Sequence, residues 1–543
     1  MKRLPDTPDL GHLKRQAKDL IAAYRAATPE AVERFRQSLP AAAGRPDAAV
    51  LAMGLRLHDA QSCLAREYGF RSWAELATHV EARRLALADP KARKRRFLSL
   101  VYAGDLAGGM DKSRPHLAQD LLAAYPDLTD GDPYMACAVG DTAAVQRHIA
   151  TDASWVHRAG GPLNLPPLVA VTHSGLLQVP AVRDRLHAIA RVLLDAGADP
   201  NQSVGSRWPP ASLDAPSPEH PLSALYGAAG QNHDPVLTRL LLDAGADPND
   251  GESLYHSLEK PECTRLLLDA GAVVTGTNAL FRTLDLDDVD TLRLLLAHAR
   301  GVGELSGGDL LFWAIRRRRS VAHIQALLDA GVDPSARTKD GLSPHTLASL
   351  YGLVDVADLL AKVGAAEALS DEDRFVAACA RADRRAAQQI RTTRPDLPKS
   401  LSERQLRQLP ELAAAGCADA VMVMVEMGWP IAVRGGDWKA SALNHGVFRG
   451  DAALVRFLLE HGATWTEEHG FGDNACGTLS WASINQPEAG GDWVGCAQAL
   501  VDHGMPPAQY DADGGISVGG TSREFSEEVT DVLLEAGVRA VGP

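Results

Sequence analysis

The segment Leu193-Leu194-Asp195-Ala196-Gly197-Ala198-Asp199-Pro200-Asn201 recurs identically at Leu241-Leu242-Asp243-Ala244-Gly245-Ala246-Asp247-Pro248-Asn249. Such internal repetition restricts a chain to architectures built from one stacked unit. Looser copies stand at Leu267–Gly271, Leu327–Gly331, Leu458–Gly462 and Leu533–Gly537, with degenerate versions around Gly364, Gly428 and Gly504. Many intervals, such as Gly331 to Gly364, are about 33 residues long. The paired leucines supply the buried stripe of an amphipathic helix. The glycine stands just past the helix end, where a left-handed residue closes the last turn. Asp-Pro then stops the helix and opens an extended turn. A shorter apolar helix follows about ten residues later, as at Leu222–Ala229 and Ser441–Val447. One such pair cannot bury its apolar face alone, so neighbours have to stack.

These residues resemble the ankyrin repeat. That family's Thr-Pro-Leu-His opening of the first helix survives only in fragments: Ser253-Leu254-Tyr255-His256, Ser343-Pro344-His345-Thr346 and Pro166-Pro167-Leu168-Val169. The glycine-terminated second helix is far better kept. The resemblance implies an all-α ankyrin-repeat solenoid of roughly thirteen helix-turn-helix units over residues 91–543, some degenerate. Weak early units carry an inter-helix turn at Ala103-Gly104-Asp105 and Val139-Gly140-Asp141, a signal repeated at Arg449-Gly450-Asp451. Two insertions break the period, one near 204–221 and one near 485–493, and the final unit lacks a clear first helix. The resemblance also implies a non-catalytic scaffold that captures a protein partner in a concave groove lined by turn tips and first helices.

Residues 1–90 carry no repeat. Leu10, Leu13, Ala17, Leu20, Ile21 and Tyr24 are spaced as one face of a helix. Thr28-Pro29 predicts a capped second helix, Leu57 to Tyr68 a third closed by Gly69, and Ser72-Trp73 the cap of a fourth. The predicted module is a separate basic helical domain. Its stretch Leu64 to Leu76 resembles a helical module found ahead of ankyrin arrays in bacterial proteins. Residues 1–100 hold about 19 Lys and Arg against about 11 Asp and Glu, on a chain of net charge −14. That head admits a second reading, a nucleic-acid-binding regulator with 73–84 as recognition helix and Lys91–Arg96 as phosphate contacts. Glu75 and Glu81 oppose it, and the acidic remainder lacks the positive face that phosphate binding needs. Nucleic acid is therefore not the expected partner.

Aromatics make up only 5% of the chain, and its apolar residues are mostly small, which suits close-packed helices. No apolar run is long enough to span a bilayer. The seven cysteines are scattered and form no CxxC pair, so a cytoplasmic protein with reduced thiols is expected. Candidate chemistry is sparse. Gly515-Ile516-Ser517-Val518-Gly519 spells a hydrolase elbow, which means something only on a strand-to-helix turn of a parallel sheet. Glu467, Glu468, His469, Asp473 and Cys476 lack metal-site spacing, and Asp511 and Asp513 lack the closing glutamate of a calcium loop. No cofactor and no metal are expected. A third reading, an enzyme or small-molecule receptor, would centre on the groove around His256. The bland alternative makes His256 a brace between adjacent turns. Arg316–Arg319 reads as a solvated helix-terminal turn.

Aromatic and arginine side chains on tips carry most binding energy in such grooves. The candidate partner-binding residues are therefore Arg207, Trp208, Tyr255, Arg337, Lys339, Trp438, Lys439 and Trp465, with Trp438 foremost because it stands on a glycine-rich tip.

Overall fold

The computed structural model describes the whole chain except residues 1, 6, 88, 130, 300–304, 306, 511–514 and 541–543. It divides into two compact units, one of Met1–Leu10 with Ala65–Glu304, the other of Gly11–Leu64 with Leu305–Pro543.

Both units are built from helix pairs. In the first they run from Pro133–Val139 with Thr142–Thr151 to Ala279–Leu286 with Val289–His298. In the second they run from Asp309–Arg316 with Val321–Asp329 to Ala475–Asn485 with Trp493–Asp502. Within each unit, first helices stack on first helices and second on second. The first helix is short and covered on nearly every side: Met135, Ala136, Cys137, Ala138 and Val139 are all buried. The second helix buries one stripe, as Leu237, Thr238 and Leu241 do in Pro235–Asp243. These are helix-turn-helix pairs stacked as the repeats imply.

The local signals act as expected at most positions. Gly245 adopts φ +94° and Gly462 φ +100°, a conformation that closes each second helix and is costly for any residue with a Cβ. Asp141 and Asp451 follow left-handed glycines and cap the next helix through amides of Ala144 and Leu454, 3.0 Å away. Two positions depart. Gly104 opens a short helix, Gly104–Ala107, instead of terminating one, and a Cβ there would collide with the Gly109 backbone. Gly537 lies inside the last helix, Glu527–Ala540.

Adjacent units are fastened by side chains that reach backbone in the next turn. Asn201 accepts the Asp247 amide at 2.8 Å, and Asn249 accepts the Val273 amide at 2.7 Å. The asparagine of the repeated Asp-Pro-Asn is thus an inter-unit clip. A second brace joins the hydroxyl that caps a first helix to an acid on the following tip: Ser223 to Asp250, and Ser343 to Glu367 at 2.5 Å. Thr346 and Arg337 also donate to Glu367, each at 2.9 Å.

The insertion near 204–221 forms an antiparallel hairpin, Ser203–Ser206 with Ser217–Ser223. The insertion near 485–493 is a loop between the last full helix pair, turned by left-handed Gln486 and tied by Glu488 to Arg449 at 2.7 Å. Where the final unit lacks a first helix, a small sheet of Ala508–Tyr510, Ile516–Val518 and Thr521–Arg523 stands instead.

At the N-terminus the four expected helices are Leu10–Arg25, Pro29–Ser38, Leu57–Glu67 and Trp73–Leu87, with an unforeseen short one at Asp47–Leu51. Thr28 does not cap through its side chain; its hydroxyl donates backwards to the Ala23 carbonyl. Tyr24 packs edge-on to Phe35 and donates to the Val50 carbonyl at 2.8 Å. Within the second unit Leu10–Arg25 and the first part of Leu57–Glu67 meet the last helix of the chain. Arg25 pairs with Asp531 at 3.0 Å and Glu535 at 3.2 Å, and Gln61 donates to Glu527 at 2.6 Å.

Two measurements check the braces. Asn201→Ala should destabilise the protein by about 1–2 kcal/mol in urea titration, with Asn201→Asp intermediate because it keeps the acceptor. Hydrogen bonds from Ser343, Thr346 and Arg337 hold the Glu367 carboxyl below its ordinary 4.5. A folded-state value below the unfolded one gives stability present above pH 4.5 and lost as pH falls through the folded value. The melting-temperature gap between wild type and Glu367→Gln should therefore be full at pH 7 and shrink steadily below pH 4.5; a constant gap would refute the brace.

Candidate interaction surface

The hairpin insertion separates two neighbouring candidates. Arg207 is 1% exposed, and its guanidinium donates to the carbonyls of Leu106 and Leu163, each at 2.7 Å. Burial lowers its pKa, and the backbone oxygens keep the cation solvated. Arg207 is a fastener of the insertion, and its selection as a partner-binding residue is corrected on that ground. Trp208, the next residue, stands 49% exposed.

Tyr255 is half-buried, its ring edge against His256 and the Arg282 guanidinium 5.8 Å from its centroid. Arg337 is exposed but engaged with Glu367 and the Gly341 carbonyl, while Lys339 is exposed. Trp438 is half-buried, with His445 at 4.8 Å, His469 at 5.0 Å and Phe448 at 5.7 Å between ring centres. Lys439 projects from the same tip with φ +52°. Trp465 is half-buried, its carbonyl accepting the Ala475 amide.

Sequence reasoning passed over the two side chains most available to a partner in this region. Phe471 is 81% exposed and Trp481 52% exposed. Phe448 and Trp481 stack at 5.6 Å with planes 8° apart, and Phe471 lies edge-on to His469 at 5.9 Å. Rings thus run without a break from Phe471 through His469, Trp438 and Phe448 to Trp481. The available signal was the helix Ala475–Asn485, which carries Trp481 and Ile484 in addition to a full buried face. A helix apolar on both sides is covered on both sides.

The histidine braces also fall elsewhere than expected. His256 pairs with Glu252 at the start of its own helix at 3.2 Å, and its ring meets the preceding helix pair only by packing edge-on to Tyr226 at 5.2 Å, without a hydrogen bond across the turns. His173 does: its ring nitrogens lie 2.7 Å from Gln231 and 2.8 Å from the Ser223 carbonyl. His445 reaches the Gly435 carbonyl at 3.2 Å, and burial drives its pKa down to about 4. Burial likewise lowers that of His173. Both rings are neutral structural members at physiological pH.

The remaining motifs are occupied by structure. Ser517 sits on the middle strand of the antiparallel C-terminal sheet, paired with Gln509 and Ser522, and not on a strand-to-helix turn. Asp511 and Asp513 lie outside the described residues. Asp473 holds Arg523 through two hydrogen bonds of 2.7 and 2.8 Å, and burial pushes the Cys476 thiol up to about 11. Among the described residues no group of His, Cys, Asp and Glu is arranged to hold a metal ion, and no helix is long and apolar enough to cross a membrane. In the basic run, Arg93, Lys94 and Arg96 pair with Asp127, Asp132 and Glu81, and Arg95 donates to the Pro162 carbonyl. Arg317 lies over Trp313 and pairs with Asp437 at 3.0 Å, and Arg318 donates to the Tyr351 carbonyl.

No protein-family model matches the chain, and no curated protein matches it in sequence. Among solved structures it is similar to the human ASB11 ankyrin repeat domain, at 20% identity and a TM-score of 0.21, over 42% of this chain and 99% of that one. It is also similar to the ankyrin repeat domain of Bcl-3, a member of the IkappaB protein family, at 18% identity and a TM-score of 0.22, over 47% and 96%.

The neighbours Arg207 and Trp208 should separate cleanly in denaturation. Arg207→Ala strands two buried carbonyls and should cost about 2–4 kcal/mol, while Trp208→Ala should stay within about 0.5 kcal/mol of wild type. Equal losses at both positions would contradict the buried-fastener role.

Proposed function

We propose that this chain is a non-catalytic scaffold that captures a partner protein through the loop tips and first helices of its repeat array, on the concave face implied by the ankyrin resemblance. The observation that carries the reading is the exposure of Trp208, Phe471 and Trp481, the most exposed large aromatics among the described residues, on loops and a first helix. Large aromatics contribute most binding energy at interfaces and cost solubility when nothing covers them. Lys339 and Lys439 add exposed cations on other tips. In this proposal residues 1–90 act as a helical domain ahead of the array, and the protein works in a bacterial cytoplasm. The second reading, nucleic-acid binding, is weakened by the carboxylates that pair with Arg93, Lys94 and Arg96 of the basic run.

The test is affinity capture from the source cells with quantitative mass spectrometry, comparing wild type with a Trp208→Ala, Lys339→Glu, Lys439→Glu, Trp481→Ala variant. Specific partners should fall at least about tenfold while circular dichroism and melting are unchanged. Undiminished capture by the folded variant would sink the tip-and-groove reading.

A further inference from the structure

The ring run of the second unit has features that specify its occupant. It crosses two consecutive tips: Trp438 and Phe448 belong to one helix pair, and His469, Phe471 and Trp481 to the next. Ile484, one turn beyond Trp481, is 49% exposed and lengthens the apolar strip. With steps of 5.0–5.9 Å between rings, the run matches at most about six residues of extended peptide at roughly 3.4 Å each. Its framework is fixed from beneath. Trp438 is wedged by two histidines, and the Gly470 amide donates to the Trp438 carbonyl at 2.9 Å, a contact that leaves no room for a Cβ at 470.

The surrounding charge is asymmetric. Asp437, Asp473 and Glu488 are taken by Arg317, Arg523 and Arg449. Glu467 is largely buried, accepting the Thr464 amide. Arg434 and Lys439, by contrast, are exposed and have no carboxylate partner among the described residues; Arg434 donates only to the Lys439 carbonyl at 2.9 Å. Glu468 is the one exposed acid left beside them in the stretch 464–474 that is not paired with an arginine. On a chain of net charge −14, the exposed rings Phe471 and Trp481 stand on either side of half-buried Trp438 and Phe448 and buried His469, with the exposed cations Arg434 and Lys439 on the Trp438 tip.

We infer that the strip from Phe471 to Trp481 docks an extended acidic peptide segment of the partner protein, with an aliphatic or proline side chain on the exposed rings and carboxylates facing Arg434 and Lys439. This rests on the scaffold reading above and gives it a partner class. Stacked rings accept flat or branched apolar groups with little loss of entropy, since Trp438 and Phe448 are already held in place. The flanking cations supply steering and exclude basic segments.

The experiment is fluorescence anisotropy of the full chain with a fluorescein-labelled peptide, Asp-Leu-Pro-Asp-Leu-Pro-Asp. Two control peptides replace every Asp by Lys, or every Leu and Pro by Ser. The acidic apolar peptide should saturate at micromolar protein, and both controls should bind at least about tenfold more weakly. Trp481→Ala and Lys439→Glu should each weaken it by about tenfold. Phe471→Ser, at a side chain too exposed to support the fold, should weaken it by at least about threefold and guards against misfolding of the tryptophan variant. Absence of saturation, equal binding of the Lys peptide, or indifference to both Trp481→Ala and Phe471→Ser overturns the inference. So does sedimentation showing a wild-type dimer that Trp481→Ala makes monomeric, which assigns the strip to a second copy, or equal binding to neutral phosphatidylcholine vesicles. If the peptide fails while capture from cells still depends on the tips, the scaffold stands and only the partner class falls. If capture too is indifferent to the tips, both fall.

Discussion

Everything in this protein follows from a helix pair too small to bury itself. A first helix such as Pro133–Val139 has seven residues, and five of them are buried together with no room for a polar face. Such a helix exists only between neighbours, so the stacking surface is the core. The second helix needs just one stripe, and its remaining sides are free for solvent. Stacking brings the apolar area, and its interdigitated side chains favour one offset between neighbours. Directional contacts that reinforce that register come from the polar clips, Asn201 and Asn249 on the loops and the pairs of cap hydroxyl with tip acid, Ser223 with Asp250 and Ser343 with Glu367.

A stack also has two ends and must accommodate interruptions. In the second unit the end of the array is met by the N-terminal helices, with Arg25 on Asp531 and Glu535. The hairpin insertion is held by a buried arginine whose two terminal guanidinium nitrogens donate to backbone oxygens, an arrangement that fixes a loop without borrowing a carboxylate from elsewhere. Because clips and fasteners carry the structure, exposed aromatics on the tips are dispensable for folding.

The sequence was legible where a residue acts on its own backbone. Gly245 ends its helix, Pro235 starts one, and Asp451 caps one, each for reasons contained within a few residues. It was not legible where a side chain acts across the stack. Asp-Pro-Asn read as a stop signal, yet its asparagine is a clip whose partner lies one unit away. Arg207 and Trp208 read alike as tip residues, and only the position of the Leu106 and Leu163 carbonyls separates them. The hydrogen-bonded brace looked for at His256 is made by His173, while His445 ties only its own tip, since a ring's partner depends on which turn stacks above it. In the candidate site Trp438 was legible from its glycine-rich tip, but Phe471 and Trp481 were hidden because the repeat pattern assigns them no place.

The most direct measurement of the stacking account is native-state hydrogen exchange at single-residue resolution on the loop amides of Asp247 and Val273. Both belong to exposed segments that an unclipped array would leave open to water. Clipping by Asn201 and Asn249 should slow their exchange by at least about tenfold relative to neighbouring loop amides, and Asn201→Ala should release Asp247 while leaving Val273 protected. Exchange of both at the rate of unstructured chain in the wild type, or release of neither by the substitution, would contradict the claim that polar clips reinforce the register of the units.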